Sequence, residues 1–394
     1  MNRTLILTRG KGKILSLLFQ QNRLIRANAY PEQGSDLESV YIGKVKNIVS
    51  SLEAAFVEYK PETIGFLPMK QVKHPMLTNR RFDGRLIAGD ELVVQVEKEG
   101  IKNKPPGLTC NLSFTGKYCV LTTGKKTLGF SNKLSSEQRE RLKNCLLESH
   151  LNERLAEEAV GMVVRTNAGE LETPQPLLEE ISILLKEKNR LLQAACHRTC
   201  FSRLQQPLPP YLAGIRDLYS YSYDKILTDD ETIFKEIQQT FGEKERLVFY
   251  QDDVISLSRL YHVETSLREA LGEKVWLSNG AYLVIQPTEA LTVIDVNSGK
   301  YQKKSKDQDA FYLINREAAK EIALQLKLRN ISGIVIIDFI NQSSHEQDKK
   351  LLQYLTELVG EDSVQTTVMG MTALGLVEVT RKKISPPLWE QLKT

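Results

Sequence analysis

Two short apolar runs, each delivering one aspartate, flank a single long stretch of helical periodicity, and this pattern restricts the fold more than any other in the chain. The first run is Leu291-Thr292-Val293-Ile294-Asp295-Val296-Asn297-Ser298-Gly299 and the second is Ile334-Val335-Ile336-Ile337-Asp338-Phe339-Ile340. Between them, Phe311–Leu328 carries Leu313, Ile314, Ala318, Ile322 and Leu326 at helical spacing, so one face of that helix is apolar. Strand, helix and strand in this order form a βαβ unit. Its crossover places the two strands parallel, adjacent or one apart, and both carboxylates leave the sheet at the same strand end, where α/β proteins build sites.

Two carboxylates brought close together repel unless a cation lies between them, and Mg²⁺ is satisfied by one or two carboxylates plus water and phosphate oxygens. Asp295 and Asp338 have the chemistry for that role. Asn297 lies two residues past Asp295 and so faces the same side of an extended strand, where its amide offers a donor to phosphate without adding charge. Strand-end aspartates also cap turns and following helices, and the residues alone leave that reading open.

The rest of the composition describes a globular chain of 394 residues, 41% hydrophobic and 26% charged, for which two to four domains are expected. Its balance of 53 basic and 49 acidic side chains, +4, is too weak to announce a nucleic-acid binder by itself. The longest apolar stretches fall far short of the roughly 18 to 20 residues that a membrane-spanning helix needs, and Met1–Leu7 reads as a strand and not as a secretory leader. A cytoplasmic location and no membrane partner are therefore expected. Five scattered cysteines point to reduced thiols. Cys196 and Cys200 could share a helix face, but no second pair with ligand spacing completes a zinc site.

Along the chain, Lys13–Phe19 and Leu24–Ala29 read as strands. From Ser39 to about Ser113 the chain is strand-rich, and the runs Val40–Val45, Ala54–Tyr59 and Ile64–Pro68, followed by alternating Leu92, Val94 and Val96, suit a small barrel. The OB type is the natural candidate, since it presents aromatic and basic side chains to single-stranded nucleic acid. A strand at Tyr118–Leu121, a helix around Ser136–Leu147, a strand at Gly161–Arg165 and an amphipathic helix from Pro176 to His197 follow. Gln206–Pro210 then marks a boundary.

Several of these runs together resemble the ribonuclease E/G family of bacterial endoribonucleases. They are Ser51–Tyr59 with Gly65-Phe66-Leu67-Pro68, Glu289–Ser298, and Ile336–Ile340 with Gly375-Leu376-Val377-Glu378; the likeness runs in order from about residue 36 to residue 388. The resemblance implies an α/β multidomain fold. An RNase H-like domain (1–34 and 205–271) would be interrupted by an OB-type RNA-binding barrel (35–114) and a sensor for the RNA 5′-monophosphate (115–204). A DNase I-like catalytic domain (272–394) would follow. It further implies Mg²⁺, with Mn²⁺ as a substitute, held by Asp295 and Asp338, with Asn297 at the scissile phosphate. Single-stranded RNA would be cut to 3′-hydroxyl and 5′-phosphate ends in RNA processing or mRNA decay.

By the same resemblance, Phe56 and Phe66 contact a base next to the cut and Lys104 helps to hold that nucleotide. Gly129, Arg165 and Thr166 hold the 5′-phosphate. The sequence departs from the family pattern at Lys104-Pro105-Pro106-Gly107, at Ala373, where some relatives carry arginine, and at Asn341, where many carry an acid. The Cys-x-x-Cys link that follows Leu388 in relatives does not occur, so no structural zinc and no zinc-linked tetramer are expected, leaving a monomer or a different dimer. These departures motivate an alternative, a catalytically weak RNA-binding protein of the same fold. A phosphoesterase for small nucleotides is disfavoured because it would leave the barrel unused.

Overall fold

The computed structural model describes every residue except 1–2, 33, 73, 101–103, 125–126, 150, 219–222, 243–244, 301–309 and 394, and omits the side chains of 148 and 152. The chain divides into two compact units, Met1–Glu32 with Tyr221–Thr394, and Gln33–Ser220. It opens with a meander of β1 (Arg3–Gly10), β2 (Lys13–Gln20) and β3 (Arg23–Pro31). The first hairpin turns through Lys11 and Gly12, both at positive φ, the backbone twist that a two-residue hairpin requires.

The second unit begins with β4 (Val40–Val49), β5 (Ala54–Lys60), β6 (Thr63–Pro68), β7 (Glu91–Lys98) and β8 (Gly107–Thr109). These run in the order β4-β5-β6-β8-β7, and β7 pairs back onto β4 from Val40↔Gln95 to Lys44↔Glu91, closing a five-stranded barrel consistent with an OB-type domain. Closure leaves no free edge to those strands. Tyr41, Val45, Val57, Tyr59, Leu67, Leu92, Val94 and Leu108 fill its interior. Gly65 is needed there because a Cβ would lie 2.5 Å from the Leu108 side chain.

A smaller sheet follows, built from β9 (Ser113–Thr115), β10 (Cys119–Thr122), β11 (Leu128–Phe130) and β12 (Gly161–Val164) in the order β11-β12-β10-β9. Packed with it are α1 (Ser136–Glu148), α2 (Leu151–Glu157) and α3 (Gln175–Ala195). Ser135 and Gln138 close a reciprocal cap at the start of α1. The apolar stripe Leu177, Ile181, Leu184, Leu185, Leu191 of α3 is buried, as its periodicity predicts. Then β13 (Arg203–Gln205) returns to β4, and α4 (Pro210–Asp217) ends the unit.

Back in the first unit, β14 (Lys225–Thr228) pairs parallel with β1, and after α5 (Glu231–Phe241), β15 (Leu247–Phe249) pairs parallel with β14. The resulting sheet has the order β15-β14-β1-β2-β3. α6 (Leu257–Leu260) and α7 (Val263–Leu271) pack Leu257, Val263 and Leu267 onto it.

The remaining residues form β16 (Lys274–Trp276), β17 (Tyr282–Pro287), β18 (Leu291–Asn297), α8 (Ala310–Leu328), β19 (Gly333–Asp338), α9 (His345–Gly360), β20 (Thr366–Met371), β21 (Val377–Arg381) and α10 (Leu388–Gln391). Their sheet runs β16-β17-β18-β19-β21-β20, with β18 and β19 its parallel neighbours. Thr292, Ile294 and Val296 point to the buried face, whose core includes Ile314, Ala318 and Ile322 of α8 and Leu351 and Leu355 of α9. The opposite face keeps Ile334, Asp338, Glu378 and Thr380 exposed. Near its far edge Arg381 and Asp362, both buried, form an ion pair at 2.8 Å. Among the described residues no helix is long and apolar enough to cross a membrane.

Candidate active site and nucleic-acid interface

Alternation along β18 decides which side chains meet solvent: with Ile294 and Val296 committed to the core, Asp295 and Asn297 emerge on the open face. β19 lies directly beside it in parallel register, and the register pairs Asp295 with Asp338. Neighbouring strands are about 4.8 Å apart, so the two carboxylates are immediate neighbours. Asp338 is exposed and Asp295 half-buried. Asn297 Nδ2 donates to Asp295 Oδ2 at 2.6 Å, which fixes the amide and one carboxylate oxygen relative to each other.

Like charges at directly opposed positions destabilise a sheet, and among the described residues no lysine, arginine or histidine pairs with either aspartate. Nor do three or more His, Cys, Asp or Glu side chains gather into a metal cluster among those residues. A two-carboxylate donor set with an open solvent side fits magnesium, which keeps most of its ligands as water or phosphate oxygen. The strand end is held rigidly. Buried Asn315 of α8 donates to the Ile340 carbonyl at 2.7 Å and accepts from the Ile340 N–H at 3.2 Å, clamping the chain just past Asp338. Asn341 is exposed beside the Gly375 turn. Nothing in the sequence singled out Asn315, because an asparagine within a helix has no pattern that marks a tertiary bond.

In the barrel, Phe56 and Phe66 face each other across β5 and β6 with ring centroids 5.9 Å apart at 76°. Both are half-buried and alternate with the interior positions Ala55, Val57 and Leu67, so neither ring belongs to the barrel core. The Phe66 N–H donates to the Pro106 carbonyl at 2.7 Å. That bond ties Pro106 to β6 at Phe66, and Lys104, two residues earlier, is exposed.

The third constellation lies on the small sheet. Gly129 is the register partner of Val163, and Ser131, just past β11, shares a hydrogen bond of 2.8 Å between its Oγ and Thr166 Oγ1. Arg165 does not point freely into solvent. Its Nη1 donates to the Gly116 carbonyl at 2.6 Å and its Nη2 to Asp217 Oδ1 at 2.8 Å. Desolvation works to raise the Asp217 carboxyl, but the Arg216 and Arg165 guanidiniums outweigh it and hold the group below the usual carboxylate range. Asp217, remote in sequence, escaped the motif reading.

A closed barrel consistent with an OB-type domain and, in the same chain, a sheet that pairs two aspartates on adjacent strands define a class of multidomain α/β protein. Comparison with known sequences gives that class its family: the profile of the Ribonuclease E/G family matches residues 113–384. The chain belongs to this family. It is 33% identical over 364 residues to ribonuclease E of Synechocystis sp., covering 89% of this chain and 53% of that one. Ribonuclease E of Escherichia coli is 31% identical over 366 residues, 89% of this chain and 34% of that protein. Ribonuclease G of Haemophilus influenzae is 30% identical over 363 residues, 88% of this chain and 72% of that protein. The chain thus spans about half, or less, of the ribonuclease E relatives it matches.

Proposed function

We propose that this chain is an endoribonuclease that cuts single-stranded RNA with Mg²⁺, or Mn²⁺ in its place, held by Asp295 and Asp338. The observation that carries the reading is the register pairing of these two aspartates with Asn297 bonded to one of them, in a member of the ribonuclease E/G family. When bound, the divalent ion supplies positive charge that makes water more acidic and offsets charge developing on the phosphoryl group. Asp295 and Asp338, paired in register on adjacent strands, would hold it. Asn297 has two amide hydrogens, and with one on Asp295 the other is left for a non-bridging oxygen of the scissile phosphate. Attack of water on phosphorus forms one P–O bond as the bond to the 3′ oxygen breaks, leaving a 3′-hydroxyl on one fragment and a 5′-phosphate on the other.

Around that centre, the β15-β14-β1-β2-β3 sheet is read as RNase H-like and supporting, and the β16–β21 sheet as DNase I-like and catalytic. Phe56 and Phe66 present outward rings for stacking on a base, a contact worth about 1 to 3 kcal/mol that tolerates any base, and Lys104 adds a cation beside them. Arg165, Thr166 and the backbone at Gly129 form a receptor for a terminal 5′-phosphate, supported by the Ser131–Thr166 bond that brings the two segments together. The test is cleavage of an A/U-rich single-stranded RNA by the wild-type chain and by Asp295→Asn and Asp338→Asn, with Mg²⁺ and with EDTA. Cleavage by the wild type in Mg²⁺ alone, with RNA binding retained in both variants, is expected. Full activity in either variant removes the metal assignment, and binding without any cleavage turns the reading to an RNA-holding protein.

A further inference from the structure

The open face of the last sheet carries a second cluster, on β16 and β17, the two strands beside β18. Register aligns Trp276, Tyr282 and Asn297 in one row across β16, β17 and β18, and Lys274, Val284 and Asp295 in the next. Trp276 is 55% exposed and Lys274 is exposed, whereas Tyr282 is half-buried. The Trp276 and Tyr282 rings lie 5.2 Å apart at 59°. Lys274 Nζ sits 3.5 Å from the Tyr282 ring centroid and 4.2 Å from that of Trp276. Among the described residues no carboxylate pairs with this lysine. The Tyr282 ring also lies directly against Gly299, two residues past Asn297.

We infer that Lys274, Trp276 and Tyr282 form a subsite for the nucleotide on the other side of the scissile phosphate from the one read onto Phe56 and Phe66. The inference rests on the catalytic reading given above and extends it. Lys274 meets that nucleotide's phosphate, and the exposed indole of Trp276 takes its base. A lysine on a flexible stem ordinarily loses rotamer freedom on binding an anion. Here the two ring faces attract the ammonium and hold it in place beforehand, over Tyr282, the register partner of Asn297. An indole left largely in water next to that charge offers the stacking surface that single-strand binders use without sequence readout. The cluster is also a counterweight to the aspartates: the phosphate entering their field would find a cation on its far side.

The competing structural account is that a lysine over two rings merely blunts β16, the edge strand of the sheet. The two accounts differ in what they do to RNA. The experiment measures kcat and KM of the full chain on a 5′-hydroxyl A/U-rich oligoribonucleotide for wild type, Trp276→Ala, Lys274→Gln and Lys274→Arg. Salt-dependent RNA binding and tryptophan fluorescence are measured in an Asp295→Asn background. Trp276→Ala raises KM roughly tenfold, within the range of one lost stack, and leaves kcat within about twofold. Lys274→Gln lowers the slope of log affinity against log salt by about 0.7, one phosphate contact on a single strand, and Lys274→Arg restores it. RNA quenches the fluorescence of the Asp295→Asn protein, and Trp276→Phe abolishes the quench, because the other tryptophan, Trp389, packs against the core.

Unchanged KM, salt slope and quench in folded variants overturn the inference. Should Trp276→Ala fail to fold, the surface change Lys274→Gln and the quench still decide it. If the wild type binds RNA without ever cleaving it, while Lys274→Gln still lowers the salt slope and Trp276→Phe still abolishes the quench, the nuclease reading falls and the cluster stands as an RNA-binding site.

Discussion

Gly299→Ala is the sharpest probe of the strand-end geometry. Gly299 has φ +53°, and a Cβ there would lie 2.6 Å from the Gly280 carbonyl oxygen and 3.0 Å from Tyr282 Cδ1. The left-handed backbone costs alanine about 1 to 2 kcal/mol. Overpacking against a carbonyl that itself accepts from the Lys300 N–H at 3.0 Å adds about 1 to 3 kcal/mol. The sum, about 2 to 5 kcal/mol, corresponds to a fall of roughly 5 to 15 °C in the melting of a unit of this size. Relief comes by moving the 297–300 turn, which displaces Asn297 from Asp295, and misplacement by about 1 Å costs a well-oriented site about 100-fold in rate. Gly242→Ala is the control: it has φ +63° with nothing within 4 Å of its Cβ, so it carries dihedral strain alone. Differential scanning fluorimetry and RNA cleavage are read side by side. A Gly299→Ala chain that melts and cleaves like Gly242→Ala would show that the close approach to Gly280 and Tyr282 has no hold on the site.

Two further outcomes follow from the same structure. Arg165→Ala lowers kcat/KM on 5′-monophosphorylated RNA by about 10- to 100-fold, the worth of one or two charge-assisted hydrogen bonds, and leaves 5′-hydroxyl RNA unaffected; equal loss on both substrates makes Arg165 a tie between Gly116 and Asp217 and nothing more. Burial pushes the Cys110 thiol up to about 12 and raises that of Cys119, with Glu180 adding to the effect at Cys119, whereas Cys196 is exposed. At pH 8 the native protein is therefore alkylated at Cys196 while Cys110 and Cys119 stay unmodified until denaturant is added. Peptide mass mapping reads this directly, and early labelling of Cys110 would mean that the barrel opens around it.

Much of the candidate site was legible in the sequence. Asp295, Asn297 and Asp338 stood out because strand alternation and a βαβ pattern are local and periodic, and the long helix between them formed where its apolar spacing placed it. The same locality explains α3. What escaped notice has no such period. Asn315 clamps Ile340 through a bond between residues 25 apart in sequence, and Asp217 reaches Arg165 across 52 residues. Lys274, Trp276 and Tyr282 look like ordinary members of an edge hairpin until register places them beside Asn297.

By itself the sequence determined that the two aspartate-bearing runs are strands, that the segment between them and the α3 segment are helices with one apolar face, and that the two aspartates leave parallel strands at one end. Those properties follow from side-chain size, polarity and backbone period over a few consecutive residues. Tertiary structure alone decided that β18 and β19 are immediate neighbours, which makes the two carboxylates a register pair instead of residents of strands one apart. It also decided that Arg165 is tethered and that a lysine and two rings share one face of the β16–β21 sheet with Asp295 and Asn297. Strand order and pairing arise from long-range burial of shared faces, and the chain records that competition only in the sum of its contacts.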